Sequence, residues 1–215
     1  MNCELIKVCG MRDAENIRAV EQLGADWLGF IFWPKSSRYV AERPAYLPTK
    51  AKRVGVFVDE DLAKVQQIAD DYALDIIQLH GHESPEYVRA LRATGSVSLG
   101  ISAAPIVVKA ISILNRTDIA TYKDYEGHVD YFLFDTKCKT VGGSGEQFDW
   151  SVLAEYHGHT PYLLSGGIGP DDAGRIKHFH HPQCIGIDLN SRFETAPAFK
   201  DITTLREFIK TIRHE

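Results

Sequence analysis

Leu5–Arg12, LIKVCGMR, reads as a short strand that stops on a thiol and turns at a glycine toward a helix. Side chains alternate faces along a strand, so Ile6 and Val8 share one face and Lys7 and Cys9 the other. A lysine and a cysteine on one face of a buried strand fill a core poorly. They suit a strand end that presents a nucleophile or a proton carrier.

The same strand, turn and helix unit recurs outward from this stretch. Asp13 is placed to cap a helix with Ile17, Val20 and Leu23 on one face and Gly24 at its stop. Further strands are read at DWLGFIF, RVGVFVD, DIIQLHG, IVVKAIS, YFLFDTK, PYLLSGG and CIGIDLN. Between them, helical patterns run through Leu62, Val65, Ile68 and Tyr72, from Ser84 and Pro85, and more weakly across Arg116–Tyr125. Another starts at Pro170, and the last carries Leu205, Phe208, Ile209 and Ile212. Residues 94–105 carry little signal.

Eight apolar strands alternating with helices, with no linker between them, predict an α/β fold: a single-domain (β/α)8 TIM barrel over residues 1–215. A doubly wound open sheet is the competitor, but the first turn lacks its GxGxxG. Composition fits a globular enzyme, at 44% hydrophobic and 25% charged residues. A net charge of -5 with no basic block argues against nucleic acid as a partner. No apolar run nears the ~20 residues of a membrane helix, and no signal peptide is read. The scattered Cys3, Cys9, Cys138 and Cys184 have no zinc spacing and point to a reducing, cytoplasmic setting.

In such barrels functional groups collect at the C-terminal strand ends. Cys9, His80, Asp135 and Asp188 fall there, with Lys7, Gln78 and Lys109 one step deeper on what read as inward faces. Each alone is more often a core residue or a turn cap; convergence on one mouth makes them site candidates. Gly166 and Gly167, followed by a helix start at Pro170, suit an anion cradle. They are completed by Asn190, Ser191 and Arg192 after strand eight. GGSG at Gly142–Gly145 suits a mobile cover or an ordinary loop equally. His178, His180 and His181 read as solvent-facing.

Taken together, KVCGMR, GFIFWPKSSRYV, VGVFVD, IQLHG, FDTK, GGSGEQFDW, LSGGI and DLNSRFE resemble the phosphoribosylanthranilate isomerase family of tryptophan biosynthesis across nearly the whole chain. The resemblance implies an Amadori rearrangement of phosphoribosylanthranilate without metal or other cofactor. It implies Cys9 as base, Asp135 as acid and Arg38 holding the anthranilate carboxylate, a shape suited to a guanidinium fork. His80, Gly166, Gly167, Asp188, Asn190 and Ser191 would line the substrate site, in a monomer or homodimer. The base must be substantially thiolate, and Lys7 is the group expected to favour it. The acid must hold its proton when it donates. One departure is Arg192, where the family commonly has a glycine, removing a φ > 0 option beside the phosphate. Other readings are a sister sugar-phosphate barrel, of epimerase or indole-glycerol-phosphate synthase type, and a silent phosphate-ligand binder.

Overall fold

The computed structural model describes residues 5–98, 105–136 and 149–213. Its centre is a closed barrel of eight parallel strands in sequence order. These are β1 Leu5–Val8, β2 Trp27–Ile31, β3 Lys52–Phe57, β4 Ile76–Leu79, β5 Ile106–Ile113, β6 Tyr131–Thr136, β7 Tyr162–Leu164 and β8 Cys184–Leu189. Around it lie α1 Ala14–Gln22, α2 Leu62–Tyr72, α3 Pro85–Ser98, the four-residue α4 Tyr122–Tyr125, α5 Ala173–His178 and α6 Ile202–Arg213. A small hairpin, β9 Glu194–Ala196 with β10 Phe199–Lys200, follows the last barrel strand. No described helix is long and apolar enough to cross a membrane.

Strand parity splits the apolar residues into two layers. Ile6, Leu28, Phe30, Ile77 and Phe132 face the helices. Trp27, Val54, Ile76, Val108, Ala110, Leu133 and Leu163 fill the barrel with Cys9. Helix starts follow the caps read above: Asn16 N–H donates to Asp13 Oδ1 at 2.9 Å, and Tyr87 N–H to Ser84 Oγ at 3.3 Å. Leu205, Phe208, Ile209 and Ile212 of α6 are all buried. Their burial is worth about 6–12 kcal/mol as an upper estimate.

The strand and helix alternation is less regular than expected. Between β2 and β3 the chain crosses without an α-helix, and the described part of the β6–β7 crossing is a 3-10 helix, Trp150–Glu155. The weak pattern at 116–125 folds as a 3-10 turn, Asp118–Thr121, running into α4. Lys109 corrects its expected facing: Val108 and Ala110 point inward, so Lys109 points to the helix layer. There its Nζ meets Glu83 Oε2 at 2.9 Å and the carbonyl of Gly81 at 2.6 Å.

One carboxylate substitutes for the missing second helix. Glu21 Oε1 accepts the backbone N–H groups of Thr49, Lys50 and Ala51 at 2.7, 2.6 and 3.0 Å, and Oε2 accepts the Tyr46 hydroxyl. Burial alone would raise the Glu21 pKa, but these donors outweigh it and hold it below the ordinary value. The stability Glu21 adds is therefore present in full above the unfolded glutamate value of ~4.3 and lost as pH falls through the lower folded value. Glu21→Ala should lower the unfolding free energy by about 2–4 kcal/mol at pH 7 and by progressively less as pH falls below the unfolded value of ~4.3, read by urea denaturation. An equal loss above and below that value would remove the carboxylate from this role.

Candidate active site

The C-terminal strand ends form one cleft. Cys9 from β1, His80 after β4, Asp135 on β6, Ser165–Gly167 after β7, and Asp188, Asn190 and Ser191 from the end of β8 all line it. Ile31, Val56, Val58 and Ile168 add an apolar wall, and Trp33 and Ser36 close one side. Eight of the nine residues expected at the site are thus together. Arg38 is the exception.

At the β1–β8 seam, register pairs Lys7 with Asp188, and Nζ lies 2.8 Å from Oδ1 with both residues buried. The Ser165 hydroxyl donates to Asp188 Oδ2 at 3.3 Å. Burial would pull the Lys7 ammonium down, but Asp188 and Cys9 outweigh it and keep its pKa above the ordinary lysine value. Cys9 is buried beside this pair. Its sulfur fits because β2 presents Gly29: a Cβ there would lie 2.8 Å from Sγ. Burial pushes the Cys9 thiol up, and Asp188 adds to this, against the opposite pulls of Lys7 and Lys200. Lys7 acts in the expected direction, yet it does not win, because its charge is matched by Asp188 and the sulfur is dry.

Across the barrel, Gln78 Nε2 lies 2.9 Å from His80 Nδ1, and His80 Nε2 lies 3.3 Å from Asp135 Oδ2. An amide nitrogen only donates, so with this orientation Nδ1 accepts and the ring hydrogen sits on Nε2, toward Asp135. Asp135 Oδ1 accepts the N–H of Thr136 at 2.8 Å. Gln78 Oε1 is buried without a hydrogen-bond partner among the described residues, in a side chain that lines the cleft.

The segment expected to cradle an anion is built from turns more than from a helix. Gly166 and Gly167 have φ of +90° and +64°, and a Cβ at Gly166 would lie 2.2 Å from Thr136 Oγ1. The segment from Pro170 is a 3-10 turn, Pro170–Asp172, before the six-residue α5, and Asp172 Oδ2 accepts the N–H of Gly169 at 2.7 Å. The helix-dipole contribution expected there is correspondingly small. Arg192 needs no positive φ; its side chain packs over Gly169. The GGSG loop lies outside the described residues, as do Cys3 and Cys138.

Arg38 is buried and is not among the residues lining the cleft. Its Nε and Nη2 both engage the carboxylate of Glu194, at 2.9, 3.0 and 2.7 Å. Lys200 Nζ donates to Glu194 Oε1 at 2.6 Å and to Asn190 Oδ1 at 2.8 Å. Sequence reasoning missed Glu194 and Lys200. A hairpin reading of ETAPAFK about Pro197 would have paired them across the turn. His181 also departs from expectation: it is half-buried, 3.2 Å from the Tyr156 carbonyl, and burial lowers its pKa. Among the described residues no group of three or more His, Cys, Asp or Glu side chains is placed to hold a metal ion.

Comparison with known proteins agrees with this geometry. Residues 6–211 match the family profile described as N-(5'phosphoribosyl)anthranilate (PRA) isomerase. The N-(5'-phosphoribosyl)anthranilate isomerase of Phocaeicola vulgatus is 50% identical over 211 residues, covering 98% of both chains. The crystal structure of phosphoribosyl anthranilate isomerase from Thermotoga maritima superposes with a TM-score of 0.80 at 30% identity, covering 98% of this chain and 99% of that one. A phosphoribosyl anthranilate isomerase solved with reduced 1-(o-carboxyphenylamino)-1-deoxyribulose 5-phosphate superposes at 0.77, with 28% identity and coverage of 98% and 99%. Profile, sequence relatives and fold coincide over the whole barrel, and the chain belongs to the N-(5'-phosphoribosyl)anthranilate isomerase family.

Proposed function

We propose that this chain converts N-(5'-phosphoribosyl)anthranilate to 1-(2-carboxyphenylamino)-1-deoxyribulose 5-phosphate, with Cys9 as the base and Asp135 as the acid. What supports these roles is that β1 and β6 bring a thiol and a carboxylate to one cleft, above a pair of positive-φ glycines. Asp135 gives a proton to the ring oxygen, the C1–O bond breaks, and the anthranilate nitrogen becomes an iminium. The Cys9 thiolate then takes the C2 proton, and the electron pair closes the C1=C2 bond of an enolamine. Ketonisation adds a proton at C1 and removes one from the C2 hydroxyl. Hydrogen moves between neighbouring carbons of one molecule, so the balance closes without an external oxidant or reductant.

In this reading Gly166, Gly167, Asn190 and Ser191 cradle the phosphate, and His80 orients Asp135. Asp188 holds Lys7 beside the base. Gln78 Oε1 is the natural acceptor for a sugar hydroxyl, since a buried carbonyl oxygen without a donor is unfavourable. Arg38 reaches the anthranilate carboxylate only by sharing its guanidinium with Glu194. The chain works as one catalytic domain in the cytoplasm, as a monomer or a homodimer; a Thermotoga maritima relative is described as dimeric.

The test is loss of phosphoribosylanthranilate fluorescence in chelator-containing buffer. Cys9→Ala and Asp135→Asn should each lower kcat by about 10²–10⁴-fold with an unchanged circular dichroism spectrum. Either variant keeping most of its activity would reject the assignment. With Cys9 titrating above the ordinary thiol range, kcat/KM should still be rising with pH past neutrality. A plateau reached below pH 7 would place the base elsewhere. Gly29→Ala, which crowds Sγ, should depress kcat more than KM; wild-type kcat would show that the sulfur position is not critical.

A further inference from the structure

A fully buried charge lies in the hairpin after β8, and no step above uses it. The Lys200 side chain is fully buried, and its carboxylate partner Glu194 is also claimed by Arg38. One carboxylate therefore serves two cations. Beside them Lys7 has Asp188 to itself. Among the described residues, the buried cluster holds three cationic side chains, Lys7, Arg38 and Lys200, against two carboxylates, Asp188 and Glu194. An unmatched buried charge is unfavourable unless an anion comes within reach.

The cluster abuts the candidate base. Gly10, next to Cys9, packs on both arms of the network: a Cβ there would lie 2.6 Å from Arg38 Cδ and 2.8 Å from Asn190 Oδ1. Asn190 Oδ1 is the atom that accepts from Lys200 Nζ, and Asn190 lines the cleft with Cys9. Among the described residues, the charged groups acting on Cys9 are Lys7 just before it, Asp188 on β8 and Lys200 on β10, while β2 presents Gly29 to the sulfur. Burial, with Arg38, holds the Lys200 ammonium below the ordinary lysine value, while Glu194 and a Cys9 thiolate pull the other way and favour its charged form.

We propose that Lys200 is a positioning residue whose unmatched positive charge is the counter-charge of the Cys9 thiolate, with Glu194 limiting how much of it reaches the sulfur. This rests on Cys9 as the base, but its test does not depend on turnover. The two members of the pair predict different outcomes. Removing the cation disfavours the thiolate; removing the carboxylate does not.

The experiment is iodoacetamide alkylation of the full chain across pH, followed at the Cys9 peptide by mass spectrometry so that Cys3, Cys138 and Cys184 do not intrude. Lys200→Met should shift the Cys9 profile to higher pH and slow alkylation at pH 7 about fourfold: roughly tenfold less thiolate, partly offset by its greater nucleophilicity. Lys200→Arg should restore the wild-type profile, and Glu194→Gln should move it to lower pH. Asn16 holds the backbone of residue 200 through Oδ1 and Nδ2 at 2.8 and 2.9 Å, so the hairpin keeps its anchor in all three. Should Lys200→Met fail to fold, the arginine and glutamine arms decide. An upward shift in either, or an unmoved profile in Glu194→Gln, overturns the proposal, and a downward shift in Glu194→Gln upholds it. Lys200→Met and Glu194→Gln both shifting upward would mean that packing, not charge, was disturbed. An unmoved profile in Lys200→Met with a raised KM would assign the surplus charge to the substrate and overturn the proposal. An active Cys9→Ala would instead sink the catalytic role of the thiol and leave these titrations standing.

Discussion

The Lys7–Asp188 ion pair sits where the barrel has to close. Strand eight must find strand one, and their register puts Lys7 against Asp188 and Val8 against Leu189. A slip of one residue would turn Asp188 toward the helix layer and leave Lys7 buried without a counter-charge. Breaking such a pair costs about 3–5 kcal/mol, even though forming it from two hydrated ions gains little. The pair therefore contributes more to choosing the register than to net stability. Cys9 inherits that choice, because its N–H donates to the Leu189 carbonyl at 2.9 Å and its sulfur fits only against Gly29.

The barrel itself was legible because parallel strands buried on both faces leave long apolar runs, and the polar exceptions within them stand out. Cys9, Asp135 and Asp188 are such exceptions at strand ends, and the fold brings them together with His80, just past β4. The same continuity hides parity. In IVVKAIS both faces are apolar, so nothing in the run says whether Lys109 looks in or out; its partner Glu83, 26 residues earlier, decides it. The β2–β3 crossing shows no helical pattern in sequence and has no α-helix in the fold, but what orders it was hidden for a related reason. Its order comes from Glu21 on another element, not from any local period.

Arg38 shows the limit of residue-by-residue reading. Its type suits a carboxylate, and it does hold one, but the carboxylate belongs to Glu194, 156 residues away. Glu194 entered the reading only as the last residue of DLNSRFE and Lys200 not at all, because a three-residue strand and a two-residue strand carry no hydrophobic period. Arg192, flagged as a departure, turns out to need no special backbone, and its effect is packing against Gly169.

The charge balance of the chain and that of the cleft are opposite in sign. The whole molecule carries a formal -5, whereas the described residues buried around the β1–β8 seam and the hairpin set three cationic side chains against two carboxylates. An anionic substrate is thus met by a field set from beneath the cleft, where water does not screen it. That field has to satisfy two demands that pull apart. A thiolate stabilised strongly is abundant but a weak base, and one left dry and unpaired is a strong base but scarce. Cys9 lies toward the second extreme, since burial and Asp188 outweigh Lys7 and Lys200. Sharing Glu194 between Arg38 and Lys200 keeps the compensation partial: enough positive charge to populate the thiolate, too little to make it inert.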